Sequence, residues 1–248
     1  ALTGMMESRI SAGQLSQLDQ FIDRLRRIAR ESGDTRNIAQ ATYSAGLAHL
    51  RLRRLDMADR HFQTALALAA TLGSDRLQLA CINNLGEVYR YRGDLRSADQ
   101  CYRRSVRFAL ERGWTSIAAV ARLNLALLYL TGDGDRMARA QVDQAAELLR
   151  NHPQHWAWLF VGLTRAVWAA DAGDRNTCQA WWAVAVERGV GRLFHPDLGR
   201  PLERLGLAAA RHGWDDIARK AAALAGAVNT TTAAAFESSP AKKPAAEE

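Results

Sequence analysis

Small and bulky apolar residues recur along the chain with a period of 40 residues. One column of small residues holds Gly46, Gly86, Ala126, Ala166 and Gly206. A bulky column, which weakens at its end, holds Ile22, Phe62, Tyr102, Val142, Trp182 and Ala222. Two further columns keep the period, namely Leu18, Ala58, Ala98, Ala138, Cys178 and Ala218, and Leu25, Ala65, Ser105, Ala145, Ala185 and Ala225. Several independent columns with one period indicate an internal repeat.

Each column has a physical role in a pair of packed helices. Small residues let two helix axes approach closely, and a bulky residue one turn later fills the space beside the neighbouring pair. The same period places a turn residue between the helices of each pair, namely Gly13, Arg53, Gly93, Asp133, Gly173 and Gly213. Glycine permits the left-handed backbone of a helix stop, and Asp94 and Asp174 can cap the next helix. The pattern predicts an all-α chain of antiparallel helix hairpins.

Turn and capping signals divide the chain into units. We predict a solenoid over residues 1–228 and, because its Ala, Ser, Pro, Lys and Glu residues cannot build a core, a disordered tail over 229–248. The solenoid begins with a truncated repeat over 1–34. Further repeats follow near 35–74, 75–114, 115–153, 154–194 and 195–228. Each hairpin has an apolar face that it cannot bury alone, so neighbouring hairpins should stack.

One segment resembles a known family. Residues 85–95, LGEVYRYRGDL, followed by Ala98 and Tyr102, resemble the tetratricopeptide repeat. The period exceeds the usual length of about 34 residues and is similar to the long-repeat subtype of kinesin light chains and many bacterial regulators. The resemblance implies a right-handed superhelical solenoid whose first helices line a concave groove, which in the family holds peptides or partner proteins. Trp214 and Ala222 depart from the pattern, so the last repeat is expected to be a capping repeat.

Polar residues share one face of the predicted first helices. Asn84, Glu87 and Tyr91 lie at i, i+3 and i+7. The equivalent positions in neighbouring repeats are Ser44, Leu47, Arg51, Asn124, Leu127 and Thr131. The candidate residues for binding a peptide or partner are therefore Asn84, Asn124, Glu87, Tyr91, Asn83, Arg90, Ser44 and Arg51.

The two asparagines on this face have a chemical rationale. A side-chain amide offers both a donor and an acceptor, so it can bond a peptide backbone whatever its sequence. The family resemblance implies this role for Asn84 and Asn124. The alternative interpretation is that both amides face solvent or satisfy a neighbouring helix.

Composition adds no candidate for catalysis or metal binding. The 248 residues include three widely spaced cysteines, Cys81, Cys101 and Cys178. An odd count without CxxC pairs argues against a disulfide framework and a zinc site, and fits a reducing cytoplasm. His152 and His155 lie at a helix join without a third ligand. No P-loop, nucleophile elbow or kinase signature is present, so we expect neither a cofactor nor enzymatic activity.

Charge and aromatic residues favour a protein partner over other partners. The formal net charge is +7, but the arginines are scattered, and stripes such as Arg103, Arg104 and Arg107 should lie on the convex, solvated side. We therefore do not expect nucleic acid as a partner. No apolar run approaches the ~20 residues of a membrane span. The cluster of Trp156, Trp158, Trp168, Trp181 and Trp182 is predicted to be mostly core.

Two functions fit these observations. The first is a cytoplasmic scaffold that binds a peptide or partner protein in the concave groove. The alternative is a C-terminal regulatory or sensor module of a larger signalling protein, such as a Ser/Thr kinase or an ATPase-type transcription regulator. The Ala- and Arg-rich composition suggests a bacterial source, and Ala1 falls inside a predicted helix. The partner and the oligomeric state are left open.

Overall fold

Antiparallel helix hairpins make up the computed structural model, which describes residues 18–131, 134–153, 155–188 and 196–237. The helices are α1 (Leu18–Ser32), α2 (Thr35–Arg51), α3 (Leu55–Thr71), α4 (Asp75–Arg92), α5 (Leu95–Glu111), α6 (Thr115–Tyr129), α7 (Asp135–Leu148), α8 (Trp158–Asp171), α9 (Arg175–Glu187), α10 (Gly199–Arg211) and α11 (Asp215–Glu237). A short 3-10 turn, Pro196–Leu198, precedes α10. The described ranges contain no strand. The predicted all-α hairpin architecture is confirmed.

Consecutive helices pack against one another from α1 to α7. The stacking changes after α7, because α8 has little contact with α7 and instead packs on α9 and α10. A longer join between α7 and α8, which contains Pro153, separates these two helices. The fourth and fifth hairpins therefore meet mainly through their first helices, α8 and α10. Apolar residues of these helices, such as Leu202 and Leu205, form one large cluster that also includes Leu149.

Glycine and aromatic rings pack against each other in the first two full hairpins. A Cβ atom built on Gly46 would lie 2.7 Å from Cε1 of Phe62, and one built on Gly86 would lie 2.7 Å from Cε1 of Tyr102. Both rings are completely buried. Because real Cβ contacts are longer than this, only glycine allows the two helices to approach so closely. The small and bulky columns of the sequence are thus the two sides of one contact.

The same columns are buried in the later hairpins, except in the last one. Ala126, Val142, Ala166 and Trp182 are all buried. In α11, Ala222 is exposed, and Ala221 and Ala225 face the core instead. The assignment of Ala222 to the bulky column is therefore wrong. With alanine at that position, no aromatic ring packs on Gly206 in the last hairpin.

The turn residues of the repeat adopt the left-handed backbone. Gly93, Gly173 and Gly213 have φ between 70° and 83°. The carboxylates of Asp94 and Asp174 accept hydrogen bonds from the backbone N–H groups of Ser97 and Thr177. The predicted caps at these two residues are confirmed. Arg53 takes the same conformation, with φ of 54°, without being glycine.

The final helix runs past the predicted start of the tail. α11 continues from Asp215 to Glu237, beyond residue 228. Its extension includes Ala233, Ala234 and Ala235, and alanine is the strongest helix former. Residues 238–248 lie outside the described residues, as do Gly13 and Asp133.

The packing at Gly86 yields a prediction about stability. Gly86→Ala should lower the free energy of unfolding by about 2 kcal/mol, because the new methyl group overlaps the buried Tyr102 ring. Gly226→Ala is the matched control, since nothing lies within 4 Å of its Cβ position in α11. That substitution should raise stability by about 0.5–1 kcal/mol through helix propensity. Urea denaturation followed by circular dichroism measures both. Equal midpoints for Gly86→Ala and the parent would show that the helices are not in close contact there.

Candidate functional site

Polar contacts connect the first helices of neighbouring hairpins. Nδ2 of Asn84 donates to the Tyr43 hydroxyl at 3.0 Å, and Nδ2 of Asn124 donates to Oδ1 of Asn83 at 3.0 Å. Nη1 of Arg51 donates to Oε1 of Glu87 at 3.1 Å. We call these three contacts the polar ladder. They link α2 to α4 and α4 to α6, so neighbouring hairpins are held in register by specific bonds as well as by apolar packing.

The two candidate asparagines donate within the protein. Asn84 is 8% exposed, and its amide also donates to the carbonyl of Ala80 one turn earlier. Asn124 donates across to Asn83. The amide N–H groups of both residues thus donate to groups on neighbouring helices. This agrees with the alternative interpretation, in which the amides satisfy a neighbouring helix. Ligand contact by either residue stays a prediction.

Glu87 and Arg51 form a largely buried ion pair. Their side chains are 8% and 17% exposed. Burial alone would lower the pKa of Arg51, but Glu87, together with Asp197, raises it above its usual value. Ser44, also a candidate, is completely buried in α2, so it offers no surface to a ligand. The polar positions of this face are mostly interior.

A second buried ion pair joins distant parts of the chain. Nη2 of Arg90 donates to Oδ2 of Asp197 at 2.6 Å, and the Tyr91 hydroxyl donates to Oδ1 of the same carboxylate at 3.1 Å. The Arg90 and Asp197 side chains are 8% and 9% exposed. Burial alone would lower the pKa of Arg90, but Asp197 raises it well above its usual value. The 3-10 turn before α10 therefore docks on α4.

Burial also keeps the Tyr91 hydroxyl protonated. Together with Asp197 and Glu87, burial raises the pKa of Tyr91, and this outweighs the opposite effect of Arg90 and Arg53. The hydroxyl can therefore donate to Asp197 at any physiological pH.

This contact helps to enclose one large space, which we call the central cavity. Its volume is about 960 Å³. The lining residues come from all five described hairpins and comprise Arg53, Arg90, Tyr91, Leu127, Leu130, Thr131, Thr164, Val167, Trp168, Asp171, Asp197, Arg200, Pro201, Glu203, Arg204, Leu207 and Arg211. Arg90 and Tyr91 are the two candidates that reach it. Leu127 and Thr131, placed on the same face by helical spacing, also line it.

The remaining candidates do not line the cavity. Asn83, Asn84, Asn124, Glu87 and Arg51 form the polar ladder instead. The helical spacing identified a face correctly, but that face divides in two. In α4 and α6 the residues of this face near the C-terminal end of the helix reach the cavity. Arg51, at the C-terminal end of α2, is instead bonded to Glu87.

Sequence reasoning missed most of the cavity lining, including Arg53, Asp197 and Leu207. The 40-residue period identifies Arg53 only as a turn residue, although a charged residue in a column of glycines is itself a signal. Its guanidinium carbon lies 3.3 Å from the centroid of the Tyr91 ring. Asp197 is 107 residues away from Arg90 in sequence, so its role depends on the curvature of the stack. Leu207, which is 70% exposed, lies on a helix whose inward face the columns did not assign.

Other chemistry is sparse in the described residues. No three His, Cys, Asp or Glu side chains of that part come together as a metal site. None of its helices is long and apolar enough to cross a membrane. Trp168 and Trp182 are buried as predicted, whereas Trp156 is 47% exposed.

Residues 37–111 match the tetratricopeptide repeat family. The match spans α2 to α5, the hairpins that carry the ring-on-glycine contacts, and confirms the resemblance drawn from this part of the sequence. No curated protein sequence matches the chain.

Solved structures share the fold at low sequence identity. BtubC (BKLC) from P. vanneervenii is 18% identical, with 98% of this chain and 97% of that chain covered and a TM-score of 0.59. The Rap conjugation gene regulator of plasmid pLS20, in complex with the Phr* peptide, is 16% identical, with 98% and 65% covered and a TM-score of 0.67. A signal transduction ATPase with a tetratricopeptide repeat sensor from Pyrococcus horikoshii is 12% identical, with 94% and 36% covered and a TM-score of 0.54. The chain spans about two thirds and one third of the latter two proteins. These likenesses establish a tetratricopeptide-type solenoid.

The polar ladder yields a second prediction about stability. Glu87→Ala should lower the free energy of unfolding by about 3 kcal/mol, because it leaves the buried Arg51 guanidinium without its partner. Glu31→Ala is the control, since Glu31 and Arg27 form a solvent-exposed pair at 4.0 Å whose loss should change stability little. The free energies of unfolding of both variants, and of the double variant Arg51→Ala/Glu87→Ala, are measured by chemical denaturation. Equal losses for the two glutamates would contradict a buried pair at Glu87.

The cysteines should differ in reactivity. Burial raises the pKa of the Cys81 thiol to about 12 and that of Cys178 to about 11, and alkylation requires the thiolate. In the folded protein at mildly alkaline pH, iodoacetamide should modify the half-buried Cys101 first and leave Cys81 and Cys178 largely unmodified. Peptide mass spectrometry measures the order, and unfolding in guanidinium should make all three equally reactive. Early labelling of Cys81 would contradict its burial.

Proposed function

We propose that the chain is an interaction scaffold that holds an extended peptide, or a segment of a partner protein, in the central cavity. The observation that carries this proposal is that all five described hairpins contribute to one space of about 960 Å³. This volume is at the upper end of the range for ligand pockets. A space that crosses several repeats suits an elongated ligand better than a compact one.

The lining has the two properties that a peptide requires. Leu127, Leu130, Val167 and Leu207 form an apolar wall, which can take up apolar side chains. Arginine and threonine side chains supply hydrogen-bond donors that fix orientation. The Rap regulator that shares this fold was solved with the Phr* peptide, which supports a peptide as the kind of ligand here.

Within this proposal the candidate residues have two roles. Arg90 and Tyr91 border the ligand space. Asn83, Asn84 and Asn124 hold the adjoining wall in place through the polar ladder. Glu87 and Arg51 do the same at the next turn, and the buried Ser44 contributes to packing.

A regulatory role within a larger protein is the second candidate function. The fold likeness to a signal transduction ATPase whose tetratricopeptide repeats are a sensor supports it. A solenoid of this kind can serve as the ligand-binding part of a signalling protein. The coding sequence upstream of Ala1 in the gene separates the two possibilities, since a kinase or nucleotidase region encoded there would favour the regulatory role.

Blocking the cavity should abolish peptide binding. The full chain is used to select binders from a phage library of random peptides, and their affinities are then measured by fluorescence anisotropy. Leu207→Trp should weaken the selected peptides at least about tenfold, because a larger ring at this exposed position occupies the cavity without disturbing the core. Leu110→Trp is the matched control, since Leu110 is 41% exposed and does not line the cavity.

Either of two results would count against the proposal. One is a selection that yields no binder. The other is a set of binders whose affinity falls equally in Leu207→Trp and Leu110→Trp, or in neither, which would place binding elsewhere on the molecule.

A further inference from the structure

We infer that the ligand of the central cavity carries an acidic side chain, which it presents to Arg53 and Arg200. This inference rests on the proposed function and specifies the class of peptide. It starts from the charges that line the cavity and from the backbone of Arg53.

Arg53 occupies a position where arginine is conformationally unfavourable. Its φ is 54°, and the equivalent turns of later hairpins have Gly93, Gly173 and Gly213. A residue with a Cβ atom is strained in this left-handed region, whereas glycine is not. Strain of this kind is typical of functional sites, where the side chain has a use that outweighs the conformational cost. The use of Arg53 must therefore be sought in its side chain.

The Arg53 side chain points to the cavity without meeting a carboxylate. Its guanidinium lies over the Tyr91 ring at 3.3 Å, and both residues line the cavity. Within the described part of the chain, Arg53 forms no ion pair. A cation over an aromatic face keeps its edge N–H groups free to donate.

Arg200 lines the same cavity from α10. It is exposed in the first turn of this helix, three residues after Asp197. Among the residues that the structure describes, it too has no carboxylate partner. Arg53 and Arg200 therefore reach the same cavity from the first and the fifth full hairpin.

The cavity as a whole has a surplus of positive charge. Its lining includes five arginines, namely Arg53, Arg90, Arg200, Arg204 and Arg211, and three acidic residues, namely Asp171, Asp197 and Glu203. Arg90 is paired with Asp197, and Arg204 and Arg211 share Asp171. Glu203 accepts a hydrogen bond from Asn229. Two guanidinium groups therefore remain for an anionic ligand, in a setting where water is partly excluded and charge complementarity counts for more.

The surroundings favour an acidic peptide over a nucleic acid. The apolar wall offers nothing to a phosphate backbone but suits peptide side chains. Trp168 lines the cavity, but its ring is covered by Arg139 at 4.5 Å, so it cannot stack on a base.

The test uses capped peptides, so that only side chains carry charge. A positional-scanning library of acetylated hexapeptide amides is screened against the full chain by fluorescence anisotropy. At one or more positions, Asp or Glu should bind about tenfold more tightly than Asn or Gln, as expected for a charge-assisted hydrogen bond. The preference should shrink as salt is raised.

Variants then assign the preference to the two arginines. Arg53→Asn keeps a residue that tolerates the left-handed backbone, and Arg200→Ala changes an exposed side chain, so both should fold. Each should lose about fivefold to tenfold affinity for the best acidic peptide and little for its Asn or Gln counterpart. Arg107→Ala, on the exposed face of α5 and outside the cavity, should change neither affinity.

The outcomes separate this inference from the proposed function. Binding without a preference for Asp or Glu, or an equal loss for both peptides in Arg53→Asn, would overturn the inference and leave peptide binding intact. Absence of any binding peptide would overturn both. Displacement of a bound acidic peptide by single-stranded oligouridylate, abolished in Arg53→Asn, would show that the arginines serve nucleic acid instead.

Discussion

In the first two full hairpins, the contact of an aromatic ring with a glycine determines how closely the two helices approach. Phe62 on Gly46 and Tyr102 on Gly86 leave no room for even one methyl group. Because protein interiors are packed as densely as organic crystals, this separation fixes the position of each hairpin's outer faces and hence how the next hairpin stacks. In the last hairpin the ring is replaced by Ala222, and the helix there presents a different set of residues to the core. The stacking itself changes earlier, after α7, because α8 has little contact with α7.

Hydrogen bonds between polar groups fix the relative orientation of the stacked hairpins. Apolar burial is roughly proportional to area and has little directionality, so by itself it tolerates small rotations between hairpins. The polar ladder does not, because a donor that loses its acceptor inside the protein costs about 1–3 kcal/mol. Asn84 and Glu87 sit at such positions, each bonded to the preceding first helix. Orientation between repeats therefore depends on a few side chains, and the curvature that creates the cavity follows from it.

The sequence determined the fold more completely than the site. The 40-residue columns predicted the helix pairs and their capping residues because each depends on neighbours within one or two repeats. The helical spacing of Asn84, Glu87 and Tyr91 also identified the inward face. It could not show that this face reaches the cavity only in the last turns of α4 and α6, since this depends on how neighbouring helices cover the remaining residues. The role of Asp197 could not be predicted from the sequence, because its contact with Arg90 depends on rotations accumulated over several hairpins. Arg53 was recognisable in principle as a charged residue in a column of glycines.

The docking of the 3-10 turn on α4 has a consequence for how this protein can change over evolutionary time. A solenoid in which each repeat touches only its neighbours tolerates the gain or loss of a unit, because the remaining contacts are unaffected. Here Arg90 and Asp197 belong to different hairpins, with a third and a fourth between them. Inserting or deleting one unit in that stretch would move the carboxylate by the rise of a whole repeat and leave two buried charges unpaired. The ion pair therefore constrains the number of repeats between α4 and α10 to the number found here.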